Sequence, residues 1–371
     1  MRTLQKTLLV IILAIGSVDF LSQLADYQHI SFWLYIFAFI IGSMVTGFLM
    51  HYYSHISIIA LALCLIGVIQ GGYLLNPSPK IYLYFRAIHG LLLSTILTTV
   101  VSWLCNLVEK ENFLSLCKFF VPVPLFALFV LPLHQAITPM AAFHWVLFVL
   151  MFSYFFIGVL CLLLMDYLSE LNKRVSTITY NKVTEILSTP TLYYYYIAVL
   201  VCGYTFATLS LLILKTEIYS IESSQLNLLG VLLISLTLTF LTKLGGIGQH
   251  LGDMKSILMG LLLMAFGLGL LPLIKESTLL FVPMILWGLS LGILLPSILG
   301  GLSLHVTPSK QGFIIGILHF LLLIGYSVGV AITLQLNSHL YYPHFINSLL
   351  IISTSIFFIR KIHQQAESYK M

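Results

Sequence analysis

The stretch DYLSELNKRVSTITYNKVTEILSTPT, residues 166–191, is the longest polar segment of the chain. Long apolar runs precede it and follow it, six on each side. It therefore predicts an N-terminal six-helix bundle at residues 1–165, a cytoplasmic central linker at 166–190 and a C-terminal six-helix bundle at 191–371. The other links between the runs are short, which leaves no room for a domain outside the membrane.

The composition indicates that lipid is the solvent of this chain. Hydrophobic residues make up 60% of it and charged residues only 8%, whereas soluble domains carry about 25% charged residues. A spanning helix needs about 20 apolar residues. Runs of about this length lie at residues 8–25, 31–50, 56–75, 81–105, 114–133, 143–165, 191–214, 226–244, 256–274, 279–304, 312–336 and 344–360. They are continuously apolar, which favours helices over a barrel. The predicted fold class is an all-α polytopic membrane protein with about twelve transmembrane helices.

The basic residues predict the orientation of these helices. The first run continues into SVDFLSQLAD without a small-residue cleavage site, so we expect an uncleaved first helix rather than a signal peptide. With the N-terminus inside, only Lys80, Arg86, Lys215 and Lys275 fall on or near the outer side. This bias predicts a plasma (bacterial inner) membrane protein with both termini cytoplasmic. It also explains the net charge of +5 without a nucleic-acid partner.

Two segments suggest an internal duplication. GFLMHYYSH at residues 47–55 lies between the second and third runs, and GGIGQHLGD at 245–253 lies between the eighth and ninth. An offset of 198 residues aligns Gly47 with Gly245, and the same offset aligns Gly90 with Gly288. Repeated halves of this kind are the usual plan of secondary transporters, with the substrate site between the halves near mid-membrane.

Three motifs resemble those of the major facilitator superfamily, and the resemblance covers essentially the whole chain. The family link G-x-L-x-D-R-x-G-R is matched at Gly47 and Leu49, with His51 at the acidic position and Tyr52 at the basic one. The family motif R-x-x-Q-G is matched by RAIHG at residues 86–90, with histidine in place of glutamine. Runs ten and eleven, residues 279–304 and 312–336, resemble the glycine-punctuated C-terminal region of the family. The fifth run lacks the glycine-rich pattern associated with antiporters.

The resemblance implies a cytoplasmic gate at the two aligned links. Its expected residues are Gly47, His51, Tyr52, His55, Gly245, Gln249, His250, Gly252 and Asp253. The spacing of His51 and His55 also fits two metal ligands on a helix, but no Cys, Asp or Glu lies nearby to complete a site. We therefore expect no metal and no cofactor.

Asp19 is the most informative single residue, because it lies inside the first apolar run. A charged side chain at a helix centre costs about 2.5–3.5 kcal/mol, so it demands a partner or a water-filled cavity. Arg86 lies at a similar depth in the fourth run, about 8–10 Å below the outer surface. An Asp19–Arg86 charge pair is expected to couple protonation to a conformational change. His89, one turn away, is a further titratable group, although a histidine that only forms a hydrogen bond between helices is the favoured interpretation. The alternatives are a static ion pair and a carboxylate that reaches outer water.

Other polar or aromatic side chains in the runs are candidates for a substrate cavity. These are Gln70, Tyr204, Trp287, His319 and Tyr326. The segment GYSVG at residues 325–329 fits a hydrolase nucleophile pattern, but that motif requires a strand–turn–helix setting that an apolar run does not offer. We interpret it as helix packing through glycine.

Together these features predict a secondary active transporter that moves a small organic solute by alternating access. The expected partners are this solute, protons and the lipid bilayer, and the chain is expected to act as a monomer. No P-loop occurs, so a gradient must supply the energy, and Asp19 predicts proton coupling. Export is the first interpretation and uptake by symport is the second. An enzyme is not expected because the links are short and poor in acids, whereas a transport-inactive sensor or assembly protein stays open because the link motif has lost its charges.

Overall fold

The computed structural model describes most of the chain. The described residues are 2–23, 30–75, 77–107, 113–128, 141–165, 189–214, 225–274, 277–335 and 342–368. The predicted linker at 166–190, apart from its last two residues, lies outside these ranges, as do Lys215 and Lys275. The predicted boundaries of the two bundles therefore stay a prediction.

The described residues are almost entirely helical. The helices are α1 (Arg2–Gln23), α2 (Ile30–Leu49), α3 (His55–Leu74), α4 (Pro79–Leu107), α5 (Phe113–Phe120), α6 (Ala141–Leu163), α7 (Pro190–Leu214), α8 (Gln225–Leu241), α9 (Asp253–Leu270), α10 (Phe281–His305), α11 (Pro308–Gln335) and α12 (Tyr342–Ser368). A single helical turn, Gly248–Leu251, precedes α9.

The helices confirm the predicted class of an all-α polytopic membrane protein. Seven apolar stretches among the described residues are long enough to cross a membrane, and shorter apolar helices occur in α1, α5, α6, α8 and α12. The bounds differ from the predicted runs by a few residues, mostly because polar turns extend the helices beyond their apolar parts. For example, α1 begins at Arg2 rather than at residue 8, and α12 continues to Ser368.

The fifth run departs most from its prediction of one element at residues 114–133. Helix α5 ends at Phe120, Val121 forms a turn, and helix resumes over residues 122–128. Pro122 and Pro124 explain the break, because proline lacks the N–H that the helical ladder needs and disfavours helical backbone in the residue before it. Residues 129–133 lie outside the described part of the chain.

The chain forms two compact units. The first, unit 1, contains α1–α4, α6 and the beginning of α11 up to Phe320, and the second, unit 2, contains α5, α7–α10, the rest of α11 and α12. In unit 1, α2 packs against α4, and α3 packs against α6. In unit 2, α8 packs against α10, and α9 packs against α12. The same pairing therefore recurs six helices later, as expected for an internal duplication.

Two aligned glycines explain the close approach of α2 to α4 and of α8 to α10. A side chain at Gly90 on α4 would collide with the carbonyl oxygen of Tyr35 on α2. A side chain at Gly288 on α10 would meet the carbonyl oxygen of Leu232 on α8 at 2.7 Å. Inside lipid, helices associate by close van der Waals packing rather than by hydrophobic burial, so small residues at these contacts fix the pairing.

Candidate functional site

A buried polar cluster occupies the interior of unit 1, and Asp19 lies at its centre. The Asp19 side chain is 1% exposed. One of its oxygens, Oδ2, lies 2.8 Å from the hydroxyl of Tyr154, 3.0 Å from Nε2 of His89 and 3.3 Å from Nε2 of Gln70. An ionised carboxylate only accepts hydrogen bonds, so all three neighbours donate to it. Side chains from α6, α4 and α3 are thereby joined to α1.

Helical periodicity explains why these donors meet. His89 lies three residues after Arg86 on α4, and Tyr73 lies three residues after Gln70 on α3, so each pair shares one face of its helix. Both faces point into the bundle, where His89 and Gln70 are fully buried. Because water does not reach polar groups at this depth, each must find a partner inside the protein.

Arg86 belongs to the same cluster. It is 3% exposed, and its guanidinium carbon lies 5.7 Å from the ring centres of both Tyr35 and Tyr82. The Tyr35 ring also stands edge-on to the His89 ring, with 5.5 Å between centres. The structure therefore brings Asp19, Arg86 and His89 together around shared neighbours. His89 contacts the carboxylate directly, and the Asp19–Arg86 charge pair stays a prediction.

Two tyrosines of the cluster were not predicted from the sequence. Tyr154 donates to Asp19, and the hydroxyl of Tyr73 lies 3.5 Å from Nδ1 of His89. The chain contains 20 tyrosines, and nothing in the sequence separates these two from the others. The only available signal was helical spacing, which places Tyr73 on the same face as Gln70.

The cavity candidates lie in both units. Gln70 donates to Asp19 in unit 1, and in the same unit Nδ1 of His319 lies 2.8 Å from the hydroxyl of Thr98. In unit 2, the indole N–H of Trp287 donates to the carbonyl oxygen of Met264 at 3.3 Å, which secures α10 against α9.

Tyr204 and Tyr326 complete the candidate set, and both are buried in unit 2. The Tyr326 ring lies 6.0 Å from that of Phe206, and the backbone of Tyr204 contacts Gly329. A shared substrate cavity for the five candidates stays a prediction.

The first predicted gate segment contains both buried and exposed side chains. His51 is buried, and burial lowers its pKa below the ordinary value of 6.5. Tyr52 beside it is 66% exposed. His55 begins α3 and lies beside Trp103 of α4, with 6.0 Å between ring centres. Gly47 lies against α11, where an added side chain would meet the backbone of Phe313 at 3.2 Å.

The second gate segment is organised around Asp253, the first residue of α9. Its Oδ2 accepts a hydrogen bond from the hydroxyl of Tyr195 and lies 3.6 Å from Nε2 of His305. Its Oδ1 accepts from the backbone N–H of Met254 at 2.9 Å. The carboxylate thus joins the ends of α7, α9 and α10, at a helix N-terminus where negative charge is favoured.

The remaining residues of this segment shape the backbone around Asp253. Gly252 has a φ of +82°, which favours glycine. Gly245 donates its N–H to the carbonyl oxygen of Thr239 at 3.0 Å, and an added side chain would meet Cys117 of α5 at 2.9 Å. His250 is exposed, and Gln249 lies in the single turn Gly248–Leu251. A gating role for either segment stays a prediction.

Comparison with known families decides the class of protein. The sequence matches the family model of the Major Facilitator Superfamily over residues 4–359. The chain belongs to this superfamily. It is therefore an integral membrane protein with a transporter fold, and its family indicates transport rather than enzymatic catalysis.

Solved structures of the superfamily share this fold. The human organic anion transporter MFSD10 (TETRAN) is similar with a TM-score of 0.70 and 11% sequence identity, over 96% of each chain. The superfamily transporter FucP, in the outward conformation, is similar with a TM-score of 0.69 and 15% identity, over 95% of this chain and 97% of its own. A comparison with curated proteins gives no match.

Proposed function

We propose that this protein is a proton-coupled secondary active transporter that exports a small organic solute by alternating access. The observation that carries the proposal is the buried Asp19 carboxylate with its three donors on three other helices. Retaining an ionisable group inside a membrane protein is costly, and such groups are by default functional. A proton that binds to Asp19 therefore changes hydrogen bonds that join four helices.

Protonation of Asp19 supplies the coupling step. A neutral carboxyl accepts weaker hydrogen bonds than a carboxylate does, so a bound proton loosens the contacts to Gln70, His89 and Tyr154. Arg86 in the same cluster keeps its positive charge throughout. The two conformations of the alternating-access cycle, open to opposite sides of the membrane, are thus proposed to bind the proton with different affinity. Such a difference is the condition for a proton to shift the equilibrium between them.

The proposed solute class follows from the candidate cavity side chains. Tyr204, Trp287 and Tyr326 are aromatic, and Gln70 is polar but uncharged. The similarity to a human organic anion transporter supports a small organic solute. We further propose a monomer in the plasma (bacterial inner) membrane with both termini cytoplasmic, because lysine and arginine are concentrated on that side.

Proteoliposomes test the proposal. The purified protein is reconstituted around a pH-sensitive dye, and a panel of organic anions, organic cations and uncharged metabolites is added outside. At least one compound is expected to drive proton movement that protein-free liposomes lack. Exchange predicts that protons leave the vesicles as the compound enters, whereas symport predicts that both enter together. Failure of every compound would contradict the proposal and favour a transport-inactive sensor.

A further inference from the structure

His89 lies between Asp19 and the end of unit 1 that carries the connection from α3 to α4. Its Nε2 lies 3.0 Å from the Asp19 carboxylate, and its Nδ1 lies 3.5 Å from the hydroxyl of Tyr73. Tyr73 is the penultimate residue of α3 and packs against Tyr82 on α4, with 5.5 Å between ring centres. Tyr73, His89 and Asp19 thus form a short chain of hydrogen-bonding groups that leads inward from this end.

The Asp19 carboxylate determines which ring nitrogen of His89 carries the hydrogen. Because a carboxylate only accepts, the contacting Nε2 must carry the hydrogen. In a neutral imidazole the other nitrogen is then an acceptor. In this neutral form, Nδ1 faces the hydroxyl of Tyr73 as a hydrogen-bond acceptor. This is the arrangement that a proton relay requires.

We propose that His89 relays protons between Tyr73 and Asp19, a role that rests on the proposed function of Asp19 as the proton site. Nδ1 of neutral His89 accepts the hydroxyl proton of Tyr73, and Tyr73 regains a proton from water at the outer end. The resulting imidazolium gives its Nε2 proton to Oδ2 of Asp19. One proton has then moved from outer water to Asp19, and His89 is neutral with its proton on Nδ1. The first tautomer returns by proton exchange with water in the conformation that opens the cluster to the other side, where Nε2 takes a proton and Nδ1 releases one.

The groups that face this relay come from every helix packed around it. Asp19 is on α1, Tyr35 is on α2, Tyr73 is on α3 and Arg86 is one turn away on α4. Tyr154 on α6 reaches the far side of the path by donating to the same Asp19 oxygen. The Tyr35 and His89 rings are nearly perpendicular, with 5.5 Å between their centres. Among these neighbours, the Asp19 carboxylate and the Tyr73 hydroxyl lie within hydrogen-bond distance of the His89 nitrogens.

The substitution His89→Gln separates a relay from a structural hydrogen bond. Glutamine also carries an N–H donor of similar reach for Asp19, but it does not exchange protons at neutral pH. Tyr73→Phe removes the outer hydroxyl and keeps the aromatic ring. His344→Gln is the matched control, since His344 is a buried histidine on α12 in unit 2.

Rapid-scan infrared spectroscopy after a pH jump tests the relay without any substrate. The carboxylic-acid C=O band of the purified protein in detergent reports protonation, and Asp19→Asn identifies the part that belongs to residue 19. His89→Gln is expected to slow the rise of this band about 100-fold, the lower end of the usual effect of a positioned acid–base group. Tyr73→Phe should slow it in the same direction, and His344→Gln should leave it unchanged.

The outcomes separate the relay from the function on which it rests. An unchanged rate in His89→Gln overturns the relay, and so does a changed amplitude at the original rate, which shows positioning alone. If His89→Gln does not fold, as judged by its unfolding midpoint, Tyr73→Phe decides, and an unchanged rate there overturns the relay. If Asp19→Asn leaves the titrating band intact, Asp19 is not the proton site and the proposed function itself fails.

Discussion

Asp19 accepts hydrogen bonds from three side chains that reach it from three different helices. Hydrogen bonds to a charged group contribute about 1.5–3 kcal/mol each, roughly twice as much as neutral ones. Asp19 and His89 were recognisable in the sequence because polar residues stand out in apolar runs. Tyr154 and Tyr73 were not, since a tyrosine in a membrane helix is as often a packing residue as a donor, and only the fold decides which one reaches a carboxylate.

Tyr154→Phe is predicted to destabilise the protein by about 1.5–3 kcal/mol, because it removes one donor from a buried carboxylate without changing the ring. Thermal unfolding in detergent measures the loss. Combining Tyr154→Phe with Asp19→Asn in a double-mutant cycle isolates the pair. Tyr52→Phe serves as the control because its side chain is 66% exposed. Equal stability of the two tyrosine variants would contradict the hydrogen bond.

His51→Gln is predicted to reduce the pH dependence of stability. Burial lowers the pKa of His51 below its ordinary value of 6.5, so the folded protein binds fewer protons at this residue than the unfolded chain does. The contribution of His51 to the free energy of unfolding is therefore complete above pH 6.5 and decreases as the pH falls towards the folded-state pKa. Unfolding midpoints of the parent and the variant over about pH 5–8 test this. Parallel curves would show that His51 has the same pKa in the folded and unfolded states, which would contradict the prediction.

At the scale of elements, the aligned glycines account for the repeated helix pairs. The alignment of Gly90 with Gly288 came from the sequence, and both residues lie at close contacts in the structure, Gly90 between α4 and α2 and Gly288 between α10 and α8. Helix ends were harder to predict, because polar turns extend helices beyond their apolar runs. Pro122 and Pro124 explain the break after α5, because proline interrupts a helix even within an apolar run.

Gly90→Ala and Gly288→Ala are each predicted to cost about 1–3 kcal/mol, because the added methyl group overpacks a backbone contact. Gly230→Ala is the matched control, since a side chain there meets nothing within 4 Å. In that open position alanine should stabilise helix α8 by about 0.5–1 kcal/mol. Thermal unfolding of the three variants tests the pattern, and a neutral result at Gly90 and Gly288 would show that these helices are not held at contact distance.

At the scale of the molecule, composition alone excluded a soluble protein, and the count of apolar runs with the motifs indicated the superfamily. Solute and direction were not predictable, since a cavity is formed by side chains from separated helices and no spacing rule assembles them. The Asp19 cluster shows the same limit, because its members lie up to 135 residues apart. Asp19 was predictable from the sequence, whereas its hydrogen-bond donors became evident only in the fold.

We propose Asp19 as the proton site of a transporter. With a compound that drives proton movement in the proteoliposome panel, Asp19→Asn is the direct test, because asparagine has nearly the same shape and binds no proton at neutral pH. Proton flux should be lost, while exchange of labelled for unlabelled compound, which needs no net proton movement, should persist. Proton-coupled transport at an undiminished rate in Asp19→Asn would contradict the claim.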